Sequence, residues 1–121
     1  MKSKEEITNA LDQFCGTERY HKFSILYPRL VLTDGVKFLC VEAECFWLMD
    51  IIGSYQKQLA KEPFQVWKLV VADRKAVVTC IDGNDKEVVR QEVGYTDFPL
   101  ESIELYCIDG EYKVILLTSE Y

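Results

Sequence analysis

The chain of 121 residues is short of histidine and of recognisable ligand spacing, and toward its C-terminal end it is short of basic residues. His21 is the only histidine, so a Cys/His zinc site would need several cysteines to converge on it. Structural zinc sites announce themselves by ligand spacing, and Cys15, Cys40, Cys45, Cys80 and Cys107 contain no CxxC pair. Cys40 and Cys45 are five apart, whereas residues three or four apart share a helix face. An odd number of cysteines without pair spacing fits buried, reduced thiols better than a disulfide framework. Also missing are GxGxxG, the Walker-type GxxxxGK and GxSxG, which carry the common nucleotide and acyl-transfer chemistries. Asp82-Gly83-Asn84-Asp85 lacks the alternating oxygen ligands and distant glutamate of a calcium loop and reads as a hairpin turn. No metal and no cofactor is expected.

No apolar run approaches the roughly 20 residues that cross a bilayer, and Met1-Lys2-Ser3-Lys4-Glu5-Glu6 is too polar to open a signal peptide. A cytoplasmic protein with no membrane partner is expected. The formal net charge of -6 is unevenly placed. Residues 1–90 hold thirteen acids and thirteen bases, whereas residues 91–121 hold seven acids and, for bases, only Lys113. Affinity for nucleic acid comes from Lys and Arg releasing counterions, so direct binding of nucleic acid is not expected near the C-terminal strands.

Half of the residues are apolar and 28% are charged, the balance of one ordinary globular domain, here residues 1–121. Ser3 and Glu6 have capping-box spacing. Ile7, Ala10, Leu11 and Phe14 then recur at i, i+3, i+4 and i+7, so a helix begins at the N-terminus, with Gly16 as its left-handed stop. Around Pro28, residues 20–32 suggest one short extended segment at a sheet edge, because proline cannot donate to a central ladder. From Val36 to about Leu59 there is no proline, and Asp34 can cap the start, which predicts a long central helix or a kinked pair. That stretch is apolar almost all round, as a helix covered on two sides would be. After Pro63 the period becomes two, with strands over about 64–71, 76–82, 87–95 and a run at 103–117 broken by Asp109-Gly110. Short polar turns separate them, and short turns join antiparallel neighbours. The expected fold is α+β: an antiparallel meander of four to five strands in the C-terminal half, with the N-terminal helix and the long central helix packed on one face.

Two places invite a functional reading. Alternation puts the Gln91 amide on the same face as Val89, Val93 and Tyr95, and a polar group there must find a partner or lose roughly 1–3 kcal/mol. The default is a hydrogen bond to loop backbone; the alternative is a pocket lined by Trp47, Gln91 and Tyr95 between the central helix and the sheet. Asp97, before Phe98-Pro99, is expected to cap a tight turn that Phe98 anchors. Left exposed beside Glu101, Glu104 and Glu120, it would instead join an anionic patch that speeds association with a basic surface.

Phe14-x-Gly16-Thr17-Glu18, Phe46-Trp47-Leu48, Phe64-x-Val66-Trp67-x-Leu69, Asp82-Gly83-Asn84, Gln91, Thr96-Asp97-Phe98-Pro99-Leu100 and Ser119-Glu120-Tyr121 run nearly end to end. As a set they resemble a family of small bacterial and phage proteins built on a domain of unknown function. A Tyr-Trp pair stands in that family where this chain has Phe46-Trp47. The resemblance implies a bacterial or mobile-element source and no mechanism.

With a single histidine and turn-placed acids, no nucleophile and base can be paired from the sequence. The expected function is therefore a non-enzymatic protein-interaction module, its partner another protein or a second copy. The rival expectation is a small-molecule sensor or small enzyme using Trp47, Gln91 and Asp97. A third is an acidic inhibitor of a nucleic-acid-binding protein, for which a charge of -6 is modest.

Overall fold

The computed structural model describes residues 3–121, so Met1 and Lys2 of the polar N-terminal segment lie outside the described residues. Helix α1 spans Lys4–Leu11 and opens with the expected capping box: Ser3 Oγ accepts from the Glu6 N–H at 3.2 Å, and the Glu6 carboxylate accepts from the Ser3 N–H. Ile7 and Leu11 are its buried stripe. It ends at Asp12 in a right-handed conformation, and no glycine in the described chain has positive φ, so Gly16 is not its stop.

The expected single extended segment is a hairpin, β1 (His21–Ser24) and β2 (Tyr27–Leu32). Strand β1 is the edge, and Pro28 is tolerated in β2 because pairing with the next strand begins only at Leu30.

Of the long helix and the kinked pair expected over residues 36–59, the structure has the pair, α2 (Asp34–Glu42) and α3 (Phe46–Ser54). The break falls where Glu44 takes φ 52, a conformation no glycine or proline advertises. Breaking the helix also resolves its all-round apolarity. Helix α2 buries Val36, Leu39 and Cys40, and α3 buries Leu48, Met49 and Ile52, each toward the same core. The cap of α2 is Thr33, whose hydroxyl accepts from the Val36 N–H at 3.3 Å; Asp34, expected there, is turned to other partners.

Strands β3 (Phe64–Ala72), β4 (Lys75–Ile81), β5 (Glu87–Val93), β6 (Ser102–Asp109) and β7 (Lys113–Leu117) complete a seven-stranded sheet of order β1-β2-β7-β6-β3-β4-β5. It is antiparallel except between β2 and β7. The C-terminal half is not a simple meander. From β5 the chain passes the end of the β3–β4 hairpin, held there by Thr96 N–H to Arg74 O at 2.7 Å and Val71 N–H to Glu101 O at 2.9 Å, and re-enters beside β3. Phe98, buried in the core, anchors that crossing, which turn chemistry alone cannot distinguish from a hairpin.

Register sorts the side chains. The row Leu117, Leu105, Trp67, Cys80, Val89 and the neighbouring row Leu32, Ile115, Cys107, Gln65 are buried and share one core with the helices. Among the described residues no helix is long and apolar enough to cross a membrane.

Candidate functional site

The sheet's other face carries Phe64, Val66, Lys68 and Val70 of β3, opposite Ile108, Tyr106, Glu104 and Ser102 of β6. Ile81, Thr79 and Val77 of β4 and Val114 of β7 extend it. Among the described residues no helix buries these side chains: they are half-buried or exposed, with Val70 44% exposed, and Val31 and Leu116 alone are buried on this side. The centre is aromatic. Phe64 and Tyr106 lie 5.1 Å apart, and Tyr121 meets both edge-on at 5.6 and 5.3 Å. The final turn places Tyr121 there because Glu120 is held from the other side: its carboxylate accepts from the Thr33 hydroxyl at 2.6 Å, the Leu117 N–H at 3.0 Å and the Gly35 N–H at 3.2 Å. A polar row crosses the same face, with Arg90, Thr79, Lys68 and Glu104 as successive neighbours.

The residues singled out from sequence are scattered. Trp47 lines a shallow depression with Cys40, Val41, Glu44 and Phe46. Gln91 does face the helices, but its partner is a side chain rather than loop backbone: the Tyr55 hydroxyl donates to its Oε1 at 2.8 Å, and the Tyr55 ring lies 6.0 Å from Trp67. Tyr95 is 65% exposed, and Asp97 is exposed on the β5–β6 crossing. The turn cap assigned to Asp97 belongs to Thr96, whose hydroxyl accepts from the Phe98 N–H at 3.1 Å. Among the described residues no hydrogen bond or ring contact joins Trp47, Gln91, Tyr95 and Asp97 to one another. Of the acids expected to form one patch, Glu101 pairs with Lys4 at 3.3 Å, Glu104 sits opposite Lys68, and Glu120 is the clasp on α2.

His21 Nε2 meets Asp34 Oδ1 at 2.8 Å. The Glu18 backbone N–H, and next the His21 ring, hold the Asp34 carboxyl below its usual range. Thr17 is spent locally, accepting from the Asp34 N–H and donating to Arg19 O, so the pair ties the segment before β1 to the start of α2. Burial pushes the Cys80 and Cys107 thiols up to about 12, and the neighbouring Cys45 thiol, then burial, raise that of Cys40. Cys15 is the one exposed thiol. Among the described residues no group of three His, Cys, Asp or Glu side chains could hold a metal ion.

A polar network that the sequence reading missed lies inside the core. Gln56 and Gln65 exchange amide hydrogen bonds at 2.9 Å, Trp67 Nε1–H donates to Gln65 Oε1 at 2.9 Å, and Lys113 Nζ donates to Gln56 Oε1 at 3.1 Å. The signal was present: Lys113 shares its strand parity with buried Ile115 and Leu117, and Gln65 shares its own with Trp67 and Leu69. No curated protein and no solved structure matches the chain. A family profile does, over residues 5–121, and the protein accordingly belongs to DUF6876, a family of unknown function.

Proposed function

We propose that the protein is a non-catalytic interaction module that works as a homodimer, docking a second copy through the sheet face its helices leave uncovered. The observation that carries this is the aromatic trio Phe64, Tyr106 and Tyr121, set in rows of Val and Ile on an open face. A monomer gains nothing from holding such a patch in water, whereas two sheets stacked face to face at about 10 Å bury it. Charge argues for a second copy over a foreign partner. The polar row on this face holds Arg90 and Lys68 as well as Glu104, so the surface contains its own complement, where a face of one sign would call for a partner of the other.

The test is sedimentation velocity across micromolar to millimolar protein, on the wild type and on Tyr106→Lys. A concentration-dependent dimer that Tyr106→Lys converts to a folded monomer supports the reading. A wild type that stays monomeric at millimolar concentration, or a dimer indifferent to Tyr106→Lys, overturns it.

A further inference from the structure

On the opposite side of the sheet, the turn after α3 and strand β2 enclose a cleft of about 650 Å³. Its walls include Leu26, Tyr27, Pro28 and Leu30 on one side and Gly53, Gln56 and Ala60 on the other. Among the described residues three cationic side chains line it, Arg29, Lys57 and Lys113, and no carboxylate does, in a chain whose net charge is -6. We infer that this cleft binds a small organic anion, a carboxylate or phosphate head on an apolar body, with Lys113 as the residue that receives the head.

Lys113 is the reason. It is only 7% exposed, and lysine is almost never buried to that degree without a paired charge. Its cross-strand partner in register is Asp109, but that carboxylate makes its ion pair with Arg29 at 3.0 Å, Arg29 also donating to Gly110 O at 2.8 Å, and among the described residues no ion pair joins it to Lys113. Among the described residues Lys113 has one neutral acceptor, Gln56 Oε1, for an ammonium with three N–H donors. Removing a charge from water for a single amide oxygen costs stability, and a buried charge of this kind is regained only through a counter-charge. An anion in the cleft supplies one. The apolar walls of β2 and Ala60 suit an attached hydrocarbon body and would do nothing for a bare inorganic ion.

The site comes with its own reporter. Lys113 bonds Gln56, Gln56 bonds Gln65, and Gln65 accepts the Trp67 indole N–H, so a change at the ammonium is relayed to a single, well-separated resonance. None of these residues lies on the uncovered face, so this inference stands or falls independently of dimerisation.

The experiment is a titration of full-length protein with benzoate, phenyl phosphate and inorganic phosphate at constant ionic strength, followed by proton–nitrogen correlation spectra. Benzoate or phenyl phosphate should shift the Trp67 indole and the Gln56 and Gln65 side-chain signals saturably, with inorganic phosphate binding far more weakly. Lys113→Met should weaken binding by about tenfold or more, the scale of one charge-assisted hydrogen bond. It should melt no lower than wild type, because it relieves the buried charge. No saturable shift with either organic probe, or equal binding by Lys113→Met, overturns the assignment. Should Lys113→Met fail to fold, Lys57→Ala at the exposed rim decides: weakened binding supports the site, and unchanged binding overturns it.

Discussion

Gln56 and Gln65 face one another as a reciprocal amide pair, each NH2 donating to the other's carbonyl oxygen at 2.9 Å. Gln65 is 1% exposed and spends its remaining capacity on Glu62 O and the Trp67 indole N–H. A network this complete fixes how the turn after α3 docks on β3. Replacing Gln65 strands two donors: Gln65→Leu leaves the Trp67 indole N–H and one N–H of the Gln56 amide without their acceptor, at about 1–3 kcal/mol per buried group. Urea unfolding of Gln65→Leu measures it, and an unchanged midpoint would show the pair to be replaceable by packing.

The clasp at the start of α2 predicts the effect of adding one methyl group. A Cβ on Gly35 would stand 2.5 Å from Leu117 Cδ1 and 2.7 Å from Glu120 Oε1. Leu117 is buried and Glu120 is held by three donors, so neither can retreat without loss. Gly35→Ala should therefore destabilise by about 1–3 kcal/mol, as overpacking does, even though alanine is the better helix former. Thermal melts of Gly35→Ala and of Glu120→Ala should fall together, and their double variant should be less than additive because the two share one contact.

Acid sensitivity follows from Asp34 and Asp82. Asp82 Oδ1 accepts from the Asn84 N–H at 2.8 Å and the Lys86 N–H at 3.0 Å. The Lys86 N–H first, and then the Asn84 N–H, hold its carboxyl below the ordinary 3.8; Asp34 is lowered likewise. Near pH 3.8 the unfolded chain binds more protons at these sites than the native one. Their stabilisation is therefore full above that pH and is lost as pH falls through it toward the lowered native values. Asp82→Asn keeps the acceptor and removes the titration, so its unfolding free energy should fall less steeply with acid than that of wild type. Parallel acid limbs in denaturant titrations would contradict this.

The β3–β4 hairpin can be improved. Asp73 and Arg74 both take positive φ, 53 and 62, between the paired residues Ala72 and Lys75, the two-residue turn geometry that Asn-Gly satisfies best. Asp73→Asn with Arg74→Gly should raise stability by about 0.5–1 kcal/mol, read as a higher melting temperature.

Thiol reactivity should separate by burial. Cys15 is exposed, and Cys40, Cys45, Cys80 and Cys107 are buried. A colourimetric thiol reagent should modify one cysteine rapidly in the native protein and all five after denaturation, with Cys15→Ser abolishing the fast phase.

Local chemistry made some elements readable. The Ser3–Glu6 box starts α1, period two marks β3 to β5, and Asp82-Gly83 and Asp109-Gly110 separate strands that do pair as antiparallel neighbours. Each rests on contacts within a few residues. The kink at Glu44, the passage of residues 94–101 past the β3–β4 hairpin, and the parallel seating of β2 on β7 carry no such local mark.

Composition and periodicity by themselves determined an α+β chain with reduced, mostly core-directed cysteines and no spacing for the common cofactor motifs. Only tertiary structure decided where its charges and polar groups found partners. It sent Glu101 to Lys4, Asp109 to Arg29 and Glu120 to α2, so the acidic C-terminal quarter is partly neutralised by residues roughly 80 to 100 positions earlier. It also left Lys113 in a cleft with no carboxylate in its lining and the Phe64, Tyr106 and Tyr121 rings uncovered. The physical reason is range. Helix capping and strand alternation act within a few bonds of each residue, whereas an ion pair, a crossing strand or an open face exists only once distant segments have been brought together.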